Sequence, residues 1–138
     1  MIISSRYINI VSAINLGGGM YHQDSSENKA QIKKVVLDMV DWINENLLNP
    51  INVQDVTVRS GYSSRYFQTC FQLVMGVTIG RHIRYKKMDL AASLIVLPDA
   101  TVTKVQLMLG YESSTTFCRL FRSEHGVSPL KFRLNHLK

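Results

Sequence analysis

Apolar residues recur at helical spacing from about Gln31 onward. The positions that carry this period are Ile32, Val35, Val36, Met39, Ile43 and Leu47. Charged residues lie between them, which is typical of an amphipathic α-helix with one buried face. Pro50 follows the last of these positions, and a proline often comes shortly after a helix end. The pattern predicts a helix over about 31–47 that needs a packing partner.

Two shorter helices are predicted next, over about 52–60 and 63–75. Their expected N-terminal caps are Asn52 and either Ser63 or Ser64, residue types whose side chains accept hydrogen bonds from free backbone amides. Gly61 supplies a turn between the two helices, and Gly76 closes the second one.

A long helix is predicted from about Thr78 to Leu94. Its buried candidates are Ile79, Ile83, Leu90, Ala91 and Leu94. The stretch "LPDA" ends this helix at Pro98, because proline lacks the amide that a helix interior requires.

The pattern of short helix, turn and second helix then repeats. We expect a short helix from about Thr103, a turn at Gly110, a helix over about 113–125, and a last helix that begins at Ser128 and Pro129. No segment alternates convincingly as a β-strand, so the predicted fold class is all-α. Residues 1 to about 28 lack a sustained period, and we expect a loose arm there.

The repeat is also visible in the letters. "GYSSRYFQTCFQLVMGVT" at 61–78 is followed by "GYESSTTFCRLFRSEHGVS" at 110–128. A short helix, a glycine-containing turn and a serine-capped second helix form the helix-turn-helix pattern, whose second helix enters a DNA major groove. In each second helix two phenylalanines lie four residues apart, at 67/71 and 117/121, so they share one face and are expected to pack inward.

The opposite faces of these two helices carry mostly hydrogen-bonding side chains. They are Arg65, Gln68, Thr69 and Gln72 on the first helix, and Ser114, Thr115, Cys118, Arg119 and Arg122 on the second. Such side chains read bases and hold phosphates, although a solvated helix face has a similar composition. A single helix-turn-helix match is weak evidence, and two copies joined by a helix are strong evidence.

The chain has 138 residues and a net charge of +6, and the excess is confined to its C-terminal half. Residues 1–76 have six basic and six acidic side chains, whereas residues 77–138 have ten basic and four acidic ones. This balance favours a polyanion such as nucleic acid or an anionic membrane surface, and a solvated basic face remains the alternative.

The length suits one ordinary domain or two very small ones, and 46% of the residues are hydrophobic. No apolar run reaches the roughly 20 residues that span a bilayer, and polar residues interrupt the N-terminal stretch where a signal peptide needs an apolar core. We therefore expect a cytoplasmic protein that does not bind membranes. Cys70 and Cys118 have neither the number nor the spacing of a disulfide framework or a zinc site.

Four segments resemble the AraC/XylS family of bacterial transcription regulators, over about residues 32–133. They are "SGYSSRYFQTCF", "GVTIGRHIRYKKM" followed by "AASLI", "LGYESSTTFCRLFRSEHGVSP", and the final "FR" at 132–133. The resemblance implies two helix-turn-helix subdomains joined by a long linker helix, with both recognition helices in successive major grooves of double-stranded DNA. The expected division is an arm over 1–29, a first subdomain over 30–76, the linker helix over 77–96 and a second subdomain over 97–138.

By position, the resemblance also assigns the DNA contacts. The base-facing residues are Arg65, Gln68, Thr69, Ser114, Thr115 and Arg119. The residues that contact phosphates or flank the readers are Ser63, Ser64, Gln72, Arg81, Arg84, Lys86, Ser113, Arg122 and Lys131. Thr69 departs from the arginine of many relatives, and Thr57 and Gln106 replace a small alanine between the helices of each unit. The larger side chains of Thr57 and Gln106 are expected to affect how closely those helices pack.

The resemblance further implies activation of transcription, a contact with RNA polymerase and a monomer on DNA. The first thirty or so residues are too few for an effector-binding domain, so no small-molecule pocket and no cofactor are expected. Because the two recognition helices differ in sequence, the DNA site should be asymmetric. Of the cysteines, Cys70 should face the interior, whereas Cys118 follows Phe117 and is expected on the DNA side.

An enzyme is not expected. The four histidines are scattered without metal-ligand spacing, and the serines of the repeats stand at cap positions without a nucleophile motif. The alternative that stays open is an interaction protein that uses this fold to bind another regulator or RNA polymerase without reading DNA.

Overall fold

The computed structural model describes residues 25–137, and this range forms seven α-helices and no strand, which confirms the all-α prediction. The helices are α1 (Ser25–Glu45), α2 (Val53–Ser60), α3 (Ser64–Met75), α4 (Ile79–Ile95), α5 (Val102–Met108), α6 (Ser114–His125) and α7 (Pro129–His136). They belong to two compact units, and α4 begins in the first and ends in the second.

The predicted start of the first helix was wrong. α1 begins at Ser25, about six residues before the expected Gln31. The added turns are polar, so no apolar period marks them in the sequence. The expected arm therefore does not extend through residues 25–28, and the rest of that prediction lies outside the described residues.

The first unit comprises, among the described residues, 25–45 and 51–82. Helices α1, α2 and α3 pack against one another in it. Its core consists of Ile32, Val36, Met39, Val40, Ile43, Val56, Phe67, Phe71, Val74 and Ile79, all buried. The rings of Phe67 and Phe71 are 6.2 Å apart, and His82 meets the ring of Phe71 edge-on at 5.7 Å.

The second unit comprises residues 46–50 and 83–137. Its core consists of Met88, Ala91, Ile95, Val105, Leu109, Phe117 and Phe121, all buried. The ring of Phe121 lies 6.1 Å from that of Phe117 and 5.4 Å from that of Phe132 on α7. The aromatic pair of the recognition helix therefore contacts the last helix as well.

The buried face of α4 differs in part from the prediction. Ile79, Ile83 and Ala91 are buried as expected, whereas Leu90 and Leu94 are only half-buried. The second unit instead buries Met88, Ala91 and Ile95, which lie three and four residues apart on one helix face.

The predicted caps are present. Asn52 and Asp55 form a reciprocal capping box at the start of α2, with hydrogen bonds of 2.8 and 2.9 Å. The Oγ atoms of Ser63 and Ser113 accept hydrogen bonds from Tyr66 N and Thr116 N, at the starts of α3 and α6. At the far ends, Gly76 and Gly126 adopt φ of 78° and 81°, a conformation that suits glycine and stops each helix.

Three basic side chains hold carbonyl groups of the second unit. Lys87 is 7% exposed, and its Nζ donates to Leu109 O at 3.0 Å. The guanidinium of Arg133 donates to the carbonyls of Ile95, Leu97 and Pro98 at the end of α4. His125 Nε2 lies 2.9 Å from Met88 O. These contacts span 22 to 38 residues of chain, so local sequence patterns do not predict them.

Burial of its ammonium group lowers the pKa of Lys87 below the ordinary value of 10.5. Between the lowered value and 10.5 the unfolded chain binds more protons than the folded one, so this group makes stability rise with pH. We expect the free energy of unfolding of the wild type to increase relative to that of Lys87→Met as the pH approaches 10.5. Urea titrations followed by circular dichroism measure the difference.

Lys86→Met is the matched control for this prediction, because it removes the same charge from a half-buried neighbour. A parallel pH dependence for the wild type and Lys87→Met would contradict the role of the buried lysine.

Candidate nucleic-acid interface

Helix α3 presents a polar face to solvent because the side chains of its apolar face are buried in the first unit. Phe67, Phe71 and Val74 are 0% exposed. The helix is thereby held with its opposite side in solvent, where Arg65, Gln68, Thr69 and Gln72 are all exposed. The structure brings these four predicted residues together: with Ser64, Thr78 and Ile79 they line one open surface groove.

Two hydrogen bonds within α3 determine which donors and acceptors this face leaves available to a partner. Gln68 Nε2 donates to Ser64 Oγ at 2.9 Å. Thr69 Oγ1 donates to Arg65 O at 3.0 Å, one turn back along the helix. The only hydroxyl proton of Thr69 is therefore used inside the helix, which leaves its methyl group and two oxygen lone pairs for contacts.

An apolar edge runs along α3 that sequence reasoning missed. Tyr66 is 48% exposed and Leu73 is 46% exposed, and they lie seven residues apart on one side of the helix. At the matching positions of α6 stand Thr116 and Ser123. The signal was present in the sequence as an i, i+7 apolar pair outside the phenylalanine face. The two recognition helices therefore differ in the polarity of this edge.

Helix α6 repeats the arrangement with two arginines in place of one. Phe117 and Phe121 are 0% exposed. The predicted residues Ser114, Thr115, Arg119 and Arg122 are exposed on the other side. Arginine offers paired donors that fit the guanine edge or a phosphate, so this face has stronger donors than that of α3.

Each helix-turn-helix unit buries a polar side chain on its first helix. Thr57 is 1% exposed, and its Oγ1 donates to Gln54 O at 3.1 Å within α2. Gln106 is 4% exposed, and its side chain is hydrogen-bonded to the turn and to Ser114 Oγ. The helices of each unit thus pack around residues larger than alanine by satisfying their polar groups.

The predicted phosphate-contacting cations lie on the surface. Arg81, Arg84, Arg122 and Lys131 are exposed, and Lys86 is half-buried. Lys87 and Arg133, which come from the same basic half of the chain, are instead used inside the second unit. The excess of positive charge in that half is therefore partly structural.

The expected contrast between the cysteines is not found, since both are half-buried. Cys70 lies at the margin of the buried face of α3 rather than in the core. Burial raises the pKa of its thiol, and a hydrogen bond with Tyr66 opposes that shift. Cys118 lies beside Phe117 at the edge of the exposed face of α6.

Within residues 25–137, no group of three or more histidine, cysteine or acidic side chains is arranged to hold a metal ion. In the same range, none of the helices combines the length and the apolar character needed to cross a membrane.

The fold and the outward polar faces define a helix-turn-helix protein, and comparison with known proteins agrees. A family model described as a helix-turn-helix domain matches residues 56–135. Regulatory protein SoxS of Escherichia coli K12 is 34% identical over 101 residues, which cover 73% of this chain and 94% of SoxS. YkgA of the same organism is 33% identical over 113 residues, and the chain spans only 47% of its length.

The structural likeness is also clear. The DNA-binding domain of the global transcriptional factor AdpA, solved in complex with a target DNA, superimposes with a TM-score of 0.69 and 24% identity. The match covers 73% of this chain and 91% of that domain. The chain belongs to the AraC/XylS family of bacterial transcription regulators, as the sequence motifs indicated.

The raised pKa of Cys70 predicts that its thiol reacts slowly with alkylating reagents. In a Cys118→Ser variant, which leaves Cys70 alone, the alkylation rate should rise with a midpoint above the ordinary pKa of 9.0, because only the thiolate reacts. Iodoacetamide labelling followed by mass spectrometry across pH measures the midpoint. The same variant in denaturant is the control, and a native midpoint equal to or below the denatured one would contradict the burial of Cys70.

Proposed function

We propose that the protein is a sequence-specific regulator that binds double-stranded DNA as a monomer with α3 and α6 and activates transcription. The observation that carries this proposal is the shared construction of these helices. Each has a serine cap at its start and a buried phenylalanine pair, and each turns hydrogen-bonding side chains outward.

The proposed contacts follow from the exposed positions. Base edges are contacted by Arg65, Gln68 and Thr69 of α3, and by Ser114, Thr115 and Arg119 of α6. Phosphates and flanking groups are contacted by Ser63, Ser64, Gln72, Arg81, Arg84, Lys86, Ser113, Arg122 and Lys131. Both helix N-termini add partial positive charge, which favours a phosphate nearby.

The length of α4 supports reading of two successive grooves. Its 17 residues correspond to about 25 Å at roughly 1.5 Å per residue. Successive major grooves on one face of DNA lie roughly 34 Å apart, and each small unit adds its own radius to the reach. One chain thus takes the role of a two-fold dimer. Because its two readers carry different side chains, the site is asymmetric.

Membership of the family supports the remaining parts of the proposal. They are activation through a contact with RNA polymerase, binding as a monomer, and a division into subdomains over 30–76 and 97–138 joined by a linker over 77–96. Loss of the polar face would favour the alternative of a protein-binding module that does not read DNA, and here that face is exposed on both helices.

The dependence of affinity on salt tests the DNA-binding part of the proposal. Each phosphate neutralised by the protein should contribute roughly 0.9 to the slope of log K against log salt, because counterions are released. Changing Arg122 or Lys131 to glutamine should lower the slope by about one such step each. Fluorescence anisotropy of a random-sequence duplex at several salt concentrations measures the slope.

Lys34→Gln is the matched control for the salt experiment, since it removes an exposed charge from α1 outside the recognition helices. It should leave the slope nearly unchanged. A flat salt response of the wild type would rule out the DNA-binding function.

The two readers should contribute unequally to specificity. Arg119 can hold guanine through two hydrogen bonds, a contact worth roughly 1–3 kcal/mol of discrimination. Thr69 stands at the matching position of α3, and its hydroxyl proton is already donated to Arg65 O. Arg119→Ala should therefore weaken binding to a selected site much more than to random DNA, and Thr69→Ala should cost less.

Measuring both variants on both duplexes separates base reading from phosphate contact. A phosphate role for Arg119 predicts equal losses on the two duplexes and a shallower salt slope. If Thr69→Ala lost more affinity for the selected site, relative to random DNA, than Arg119→Ala, then α3 and not α6 would contribute more to specificity.

A further inference from the structure

Gln106 has a buried side-chain amide that connects α5 to the recognition helix α6. It lies on α5 and is 4% exposed. Its Nε2 donates to Tyr111 O at 3.1 Å and, more weakly, to Glu112 O at 3.5 Å. Its Oε1 accepts from Ser114 Oγ at 3.1 Å. Most of the turn that leads into α6 is therefore tied to this one side chain.

The surroundings determine which way the amide points. The carbonyl oxygens of Tyr111 and Glu112 accept hydrogen bonds and cannot donate them, so the NH₂ group of Gln106 has to face them. The opposite orientation would set an amide oxygen against two carbonyl oxygens. Oε1 consequently faces Ser114, and because Oε1 can only accept, the hydroxyl of Ser114 has to donate to it.

This hydrogen bond fixes the polarity of Ser114 toward DNA. A serine hydroxyl has one proton and two acceptor lone pairs. With its proton held by Gln106, Ser114 offers a base only its lone pairs. In the major groove, adenine N6 and cytosine N4 are donors, whereas guanine presents acceptors and thymine presents an acceptor and a methyl group.

The matching serine of the first unit has the opposite polarity. Ser64 Oγ accepts from Gln68 Nε2 at 2.9 Å, which leaves the hydroxyl proton of Ser64 for a partner. Thr57 occupies the position that matches Gln106, and its hydroxyl donates to Gln54 O within α2. The acceptor-only state of the recognition-helix serine is thus specific to the second unit.

We propose that Gln106 is a positioning residue that makes Ser114 an acceptor-only reader, so that the base beside Ser114 is adenine or cytosine. This inference rests on the proposed DNA-reading function and concerns one position of the site. Gln106 itself does not contact DNA.

The test begins with selection of bound sequences from a random duplex library by the wild type and by Ser114→Ala. The position whose preference is lost in Ser114→Ala identifies the base that Ser114 reads. Every base pair contains one such amine, so the test removes the amine itself. Replacing adenine by purine, or cytosine by 2-pyrimidinone, at that position should weaken wild-type binding by roughly two- to tenfold, the discrimination expected of one hydrogen bond, and should leave the binding of Ser114→Ala unchanged.

Gln106→Met then removes the amide and keeps most of the side-chain volume. The freed hydroxyl of Ser114 can rotate and donate, so the reversed base pair, which places guanine or thymine beside Ser114, should become acceptable, while positions that depend on Arg119 keep their preference. Thr57→Ala is the matched control in the first unit and should not alter this position.

Affinities for duplexes that differ only at this position supply the readout. Because the preference is a ratio of two affinities, a smaller folded fraction of a variant does not change it. A purely structural role for Gln106 predicts weaker binding to every duplex with an unchanged ratio, and that result would overturn the inference. So would unchanged wild-type binding after removal of that amine, or a Ser114→Ala profile identical to the wild type. Selection of no sequence by the wild type would instead refute the proposed function.

Discussion

The burial of one phenylalanine pair in each recognition helix is the interaction on which the rest of the structure depends. Phe67 and Phe71 in α3, like Phe117 and Phe121 in α6, are 0% exposed. Two large side chains four residues apart fix the rotation of a helix about its axis, so they also decide which side chains face outward. Losing one such ring typically costs about 3–5 kcal/mol, a large share of the roughly 5–15 kcal/mol that stabilises a domain. The polar faces therefore depend on the apolar ones.

On this shared framework the two units carry different chemistry. The exposed side of α3 combines Arg65 and two glutamines with the apolar edge of Tyr66 and Leu73, whereas that of α6 carries Arg119 and Arg122. The turns differ too, since the buried glutamine of the second unit reaches the recognition helix and the buried threonine of the first does not leave its own helix. Under the proposed function, a single chain with two unlike recognition helices binds a site that is not palindromic.

Features set by local sequence were predictable. The caps, the closing glycines and the phenylalanine faces lie within one or two helical turns, and they place α2 to α7 to within about two residues. Features set by tertiary contacts could not be predicted from the sequence. The hydrogen bonds of Lys87 and Arg133 join residues 22 to 38 positions apart, and that of Gln106 joins two helices across a turn. The polar start of α1 and the half-buried Cys70 were missed because neither has an apolar period that distinguishes it. Which exposed residues contact DNA remains a prediction.

We propose that one chain binds two unlike sequence elements in successive major grooves. Footprinting of the selected duplex with hydroxyl radicals, together with the stoichiometry of the complex, tests this claim most directly. We expect one chain per duplex and two non-identical elements whose centres lie about 10–10.5 base pairs apart on one face of the DNA. Two chains on a palindrome, or protection of a single groove, would contradict it.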